Sequence, residues 1–270
     1  ANPNYAISLR KDYMERESKR AVELPSYQNT FKRLMLNIWT ESQTKWIGHD
    51  EWMECHKEFD YSTLEGKECW GGLDLASTRD LSAFVLVFNV NGKFIVRPYI
   101  FIPKENAKKR SDRDGVNYVE WLRDGHVFGT EGDVQDYHFI RAKINELSKK
   151  YRIQSICYDR WNASQIVIDL QNDGANLDPF GQGFVSMSMP TKALEVEIIA
   201  KNIIHDNNPC LNWCLSNITI QEDPAGNIKP NKSKSVDRID PIVALIMALG
   251  GYYSEDDGTS VYDERDLLVL

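Results

Sequence analysis

From Cys69 onward, short apolar runs bounded by turn residues replace a polar, charged pattern that occupies the start of the chain. In the first fifty residues, Tyr13 to Ala21 is charged throughout and Phe31 to Trp39 is amphipathic, with Pro25 and Ser26 between them. That pattern reads as a helical arm that packs on something else. Trp46 and Trp52 flank the polar stretch leading out of it. Three strands are then predicted, over Cys69–Ala76, Ser82–Val90 and Lys93–Ile102. Asn91-Gly92 joins the last two, and Asn-Gly between apolar alternations is the strongest short-range hairpin signal. The first secure unit is therefore an antiparallel three-strand meander.

Residues 103 to 136 read as a charged connection with a short helix over Val116–Arg123, closed by Gly125. Tyr137–Tyr151 is predicted helical, with Phe139, Ile140, Ile144 and Leu147 on one side. A strand at Gln154–Tyr158 and a helix at Ala163–Gln171 follow, an order that implies a right-handed crossover to a parallel neighbour. Phe184–Met189 reads as a further strand. Thr191–His205 reads as a helix with Leu194, Ile198, Ile199 and Ile203 on one face. Ile218–Gln221 is a short strand, Asn227–Ser235 a basic loop and Pro241–Leu249 the closing helix, with a poorly ordered acidic tail from Ser254. The predicted class is α/β: an RNase H-like mixed sheet, the meander plus parallel strands, with helices on both faces. The expected division is an arm at 1–50, the main domain at 51–253 and the tail at 254–270.

Three aspartates carry the chemistry. Asp74 lies in the strand Gly-Gly-Leu-Asp-Leu-Ala, Asp159 ends the run Ser-Ile-Cys-Tyr-Asp, and Asp240 stands directly before the closing helix. A carboxylate in a buried strand is costly unless paired or metal-bound. Three brought together make a hard, oxygen-rich site suited to Mg²⁺ or Mn²⁺. Two such ions, about 3.5–4 Å apart, supply what phosphodiester hydrolysis needs without a His, Ser or Cys nucleophile. Each aspartate also has a plainer role open to it. Asp240 before Pro241 fits a helix N-cap, Asp159 fits a turn, and Asp74 fits an ion pair with Arg79. Asp237 competes with Asp240 as ligand, and Glu195 and Glu197 are candidate accessory ligands. Arg160, Lys232, Lys234 and Arg238 are candidate DNA contacts; Trp161 reads as packing and Asn162 as a helix cap.

Composition changes this picture in one respect. The 270 residues carry a net charge of −8, unusual for a protein that meets phosphates. The acidic tail from Glu255 to Asp266 accounts for several of these charges. Basic residues cluster at Lys104, Lys108, Lys109, Arg110 and Arg113, and again at Lys229, Lys232, Lys234 and Arg238. Contact with DNA is thus local and weak on its own. Five irregularly spaced cysteines argue for a reducing compartment. A zinc site at His205, Cys210 and Cys214 lacks a fourth ligand at suitable spacing. No apolar run reaches the length of a membrane span. The Ala-Asn-Pro start, without Met or signal-peptide character, reads as a start partway through a longer protein or after processing.

Gly71-Gly72-Leu73-Asp74-Leu75-Ala76-Ser77, Tyr158-Asp159-Arg160 and Arg238-Ile239-Asp240-Pro241-Ile242-Val243-Ala244-Leu245 resemble the nuclease domain of tailed-phage terminase large subunits. Phe31-Lys32-Arg33 and Leu36-Asn37-Ile38-Trp39 resemble that family's segment between ATPase and nuclease domains. The resemblance implies an endonuclease that uses two Mg²⁺ or Mn²⁺ ions, held by Asp74, Asp159 and Asp240, to cut concatemeric viral DNA. It implies double-stranded DNA, a small terminase subunit, a portal ring and an ATPase domain of the same polypeptide as partners, at the procapsid in the host cytoplasm. No Gly-x-x-x-x-Gly-Lys-Ser/Thr loop occurs in these residues, so ATP-driven translocation is expected to lie outside them. Another RNase H-like nuclease, such as a junction resolvase or transposase, and a non-catalytic portal or capsid docking module are the alternatives.

Overall fold

Among the described residues, helices α1 (Lys11–Glu23) and α2 (His49–Met53) precede a seven-stranded mixed sheet. The computed structural model describes residues 10–24, 27, 31–32, 35–36, 46–76, 81–105, 107–159, 164–232, 235 and 238–256. The meander is present as β1 (Glu68–Asp74), β2 (Ser82–Val90) and β3 (Lys93–Pro103), with antiparallel pairing throughout. Its hairpin turns at Asn91 and Gly92, whose φ angles of 53° and 75° are what the tight turn matching strand twist requires. Helices α3 (Ala107–Asp114) and α4 (Tyr118–Arg123) lead to β4 (Phe128–Thr130), which runs parallel to β3. Then come α5 (Tyr137–Lys150), β5 (Arg152–Tyr158), α6 (Ser164–Asn172) and β6 (Leu177–Pro179). Strand β5 pairs parallel with both β1 and β6. The remaining elements are α7 (Phe184–Ile199), β7 (Ile203–Ile204), α8 (Pro209–Asn217), the hairpin β8 (Ile220–Glu222) and β9 (Ile228–Pro230), and α9 (Asp240–Asp256). Across the sheet the order is β4-β3-β2-β1-β5-β6, with β7 beside β3.

Alternation along β2 shows how the two faces are filled. Ala83, Val85 and Val87 join the cluster built with α7, α8 and α9, while Phe84, Leu86 and Phe88 join the one built with α5 and α6. Because successive strand side chains point to opposite faces, a strand covered by helices on both sides must be apolar at every position. Helix α9 is apolar on all sides from Ile242 to Leu249 and correspondingly buried. It lies directly on β1 because Gly72 has no side chain: a Cβ there would stand 1.8 Å from the carbonyl oxygen of Ala244. Among the described residues, no helix is long and apolar enough to cross a membrane.

Several predicted elements differ from the observed ones. Phe184–Met189 is not a strand but the first half of α7. Its alternation does not mark a buried face, since Val185 and Met189 are exposed, and Pro190 lies inside the helix instead of ending a strand. The same helix stops at Ile199 instead of His205. Lys201 takes the left-handed conformation at φ 57°, and Ile203 and Ile204 leave to pair with Phe94 and Ile95 of β3. The loop expected at Asn227–Ser235 contains β9, and the closing helix runs on through Ser254 to Asp256. Helix α3 was not anticipated. The amphipathic run from Phe31 to Trp39 falls mostly outside the described residues, although Phe31 packs with Ala21 and Tyr27 in a small separate cluster.

Candidate active site

Parallel pairing of β1 with β5 sets the site. Leu73 stands opposite Tyr158, so Asp74 and Asp159 follow at the same level at the carboxyl ends of adjacent strands. Both are buried, with only 1% and 8% of their surface exposed. Asp240 is the first residue of α9, and the contact of that helix with β1 through Gly72 brings its start to the same end of the sheet. The cap position suggested for Asp240 belongs to its neighbour: the carbonyl of Ile239 accepts from the amides of Ile242 and Val243.

Lys232, in the segment between β9 and α9, joins these groups. Its ammonium donates to Oδ2 of Asp74 at 2.8 Å and lies 3.8 Å from Oδ1 of Asp240. The charge of Asp159 acts on the same ammonium. Although burial opposes the protonated form, Asp74 and Asp240 hold the lysine pKa above its ordinary value. Asp240 is pushed up to about 7, first by burial and then by the charge of Asp74, with Lys232 pulling the other way. Three carboxylates facing one ammonium leave an excess of negative charge in a largely dry setting. The ion pair foreseen for Asp74 therefore exists, but with Lys232; Arg79 lies outside the described residues.

The site also contains a residue that sequence reasoning missed. Gln182, between β6 and α7, directs its amide nitrogen at Oδ1 of Asp74 from 3.4 Å. Lys229 of β9 in turn donates to the carbonyl of Gln182 at 3.4 Å and lies over the ring of Phe184. The second basic cluster thus reaches the carboxylates through Lys229 and Lys232. Arg238 is near enough for its charge to act on both Asp240 and Asp114. Arg160, Trp161, Asn162, Lys234 and Asp237 lie outside the described residues.

Among the other candidates, Glu197, His205, Lys104 and Arg110 are engaged elsewhere. Glu197 accepts from Asn202 and from Tyr253, near the far end of α9. Glu195 is buried within α7. The ring of His205 stacks on Trp52 at 4.0 Å and has both nitrogens bonded, to the Trp52 carbonyl and the Asn207 amide. In the first basic cluster, Lys104 pairs with Glu131, and Arg110 is buried against the carbonyls of Pro103 and Asp133.

Among the described residues, no three His, Cys, Asp or Glu side chains are disposed to hold a metal ion as they stand. The donor set at the end of β1 and β5 nevertheless fits a hard divalent cation in kind: carboxylate oxygens from three elements, with a lysine ammonium standing where positive charge is needed.

The family of the terminase large subunit endonuclease domain matches residues 1–256. The chain belongs to that family. The terminase large subunit of Enterobacteria phage HK97 is 32% identical over 258 residues, which is 94% of this chain and 51% of that protein. The crystal structure of the HK97 large terminase matches with a TM-score of 0.72 at 31% identity, over 93% of this chain and 52% of that one. Protein YmfN of Escherichia coli (strain K12) is 27% identical over 278 residues, covering 98% of this chain and 61% of its own. The chain therefore spans about half the length of the HK97 protein. The fold is RNase H-like, as the strand order had led us to expect.

Proposed function

We propose that this chain is the DNA-cutting part of a phage packaging motor, an endonuclease that hydrolyses concatemeric double-stranded DNA with two Mg²⁺ or Mn²⁺ ions. One observation carries the reading: Asp74 at the end of β1 and Asp240 at the start of α9 share the Lys232 ammonium, at the same end of the sheet as Asp159, which follows β5. Asp74, Asp159 and Asp240 are the residues that would hold the metals. Once bound, divalent ions relieve charge on the phosphate and lower the pKa of the attacking water.

The protein's own groups position that chemistry. Asp74 is fixed by its strand and by Gln182, so its oxygens keep their direction. Asp240 arrives on a helix that cannot slide away from β1 without opening the packing at Gly72. Burial of Asp74 and Asp159 excludes water from one side, which strengthens their hold on a cation. Lys229 and Arg238 offer positive charge beside the carboxylates for the DNA backbone, with Arg160 and Lys234 as further contacts in the adjoining segments. ATP hydrolysis would come from the part of the polypeptide that the longer relatives possess and these residues do not span. A small terminase subunit and a portal ring complete the assembly, acting on a procapsid in the host cytoplasm.

Cleavage of supercoiled plasmid in Mg²⁺ or Mn²⁺ tests the proposal. Asp74→Asn should abolish nicking and linearisation while leaving the circular dichroism spectrum unchanged. Retained cleavage in that variant refutes the assignment of the site.

A further inference from the structure

We propose that the Lys232 ammonium is the resident occupant of the cation position between Asp74 and Asp240, and that a divalent metal enters only as this lysine leaves. The inference rests on reading Asp74, Asp159 and Asp240 as the metal-holding residues. It adds a defined competitor to that site.

Contact geometry is the first support. The ammonium lies 2.8 Å from one oxygen of Asp74 and 3.8 Å from one oxygen of Asp240, so it bridges two carboxylates that arrive on different elements. A metal ion bonded to the same oxygens would stand against a like charge at close range, and repulsion at that distance excludes joint occupancy. Mobility is the second support. Asp74 is anchored in β1 and almost fully buried, whereas the Lys232 side chain is 42% exposed and lies in a turn, outside any helix or strand. The lysine is therefore the partner that can withdraw, since its side chain is already partly exposed and no packed element need open. Charge is the third. Without the ammonium, the carboxylates would face one another in a poorly hydrated setting, so Lys232 keeps the site assembled in the absence of metal. Once displaced, it remains at the mouth with three N–H donors available to a phosphate. Metal loading and capture of the DNA strand are thereby linked through one side chain.

Calorimetric titration of the 270-residue chain with MnCl₂ tests this directly. Lys232→Gln should bind Mn²⁺ about three- to tenfold more tightly than the unaltered chain, the range expected when a half-exposed ion pair no longer competes. Lys232→Arg, which keeps the charge, should show no such gain. Unchanged or weaker binding by Lys232→Gln, with Asp74-dependent heat still present in the unaltered chain, overturns the inference and leaves the site assignment standing. Heat that is absent, or identical in Asp74→Asn, overturns the site assignment as well. A measurement on the unaltered chain keeps the test sound should Lys232→Gln fold poorly. In protein labelled with ¹³Cε-lysine, the Lys232 signal, assigned by its loss in Lys232→Arg, should move to the position of exposed lysines on adding Mg²⁺. A signal that stays in place while Mg²⁺ binds contradicts displacement.

Discussion

Replacing Gly72 by alanine adds one methyl group at the point where the sheet and the central helix touch. Built on the existing backbone, that carbon would lie 1.8 Å from the carbonyl oxygen of Ala244 and 2.8 Å from the amide nitrogen of Ala248. Ordinary contact begins at 3.4 Å, so α9 must retreat from β1 by about 1.6 Å. The obstacle is helix backbone and not the tip of a side chain, and no rotamer change relieves it. Overpacking a core costs about 1–3 kcal/mol, and more where backbone must shift; we expect about 3 kcal/mol here. For a chain of this size that lowers the melting temperature by about 6–12 °C. The displaced helix carries Asp240, and a misplacement of about 1 Å in a catalytic group costs on the order of 100-fold in rate. Urea unfolding followed by plasmid cleavage on the folded fraction measures both effects. Stability within about 0.5 kcal/mol of the unaltered chain, a range typical of innocuous substitutions, would refute the argument that close approach at Gly72 positions Asp240.

Other expectations follow from single contacts. Asn208 caps α8 by accepting from the amides of Cys210 and Leu211 and also donates to the His126 carbonyl, so Asn208→Ala should cost about 1–2 kcal/mol in urea unfolding. Phe88 is fully buried and meets Tyr151 edge-on at 5.0 Å; Phe88→Ala should cost about 3–5 kcal/mol by the same assay. The Asp173 carboxyl is held down to about 2, chiefly by Arg141 and then by Asn145. A pKa depressed by folding means that the stabilisation is complete above the unfolded value of about 4 and is lost as pH falls through the folded one. The difference in melting temperature between the unaltered chain and Asp173→Asn should accordingly be constant above about pH 5 and vanish toward about pH 2.

How far the sequence revealed this molecule depended on whether a feature is local. The meander was legible because Asn91-Gly92 dictates its turn, and Ser82–Val90 lies where its apolar run placed it. Asp74 stood out because no turn or cap explains an acid between Leu73 and Leu75. The first half of α7 was misread as a strand because its apolar residues lie on several sides and Pro190 resembles a boundary; only packing against α9 tells strand from helix there. Lys232 was expected to reach DNA, and its pairing with Asp74, 158 positions away, has no local signal. Gln182 was missed for the same reason. One signal was available and unused: two adjacent glycines inside a strand often mark a close backbone approach, which at Gly72 is the seat of α9.

The most direct test of the account is an anomalous-difference map from crystals grown with Mn²⁺. It should show a peak at the carboxyl ends of β1 and β5, bonded by an oxygen of Asp74 and by Asp159 or Asp240. A map with no peak at that end of the sheet, or with manganese bound only elsewhere, would contradict the proposal that these three aspartates hold the catalytic metal.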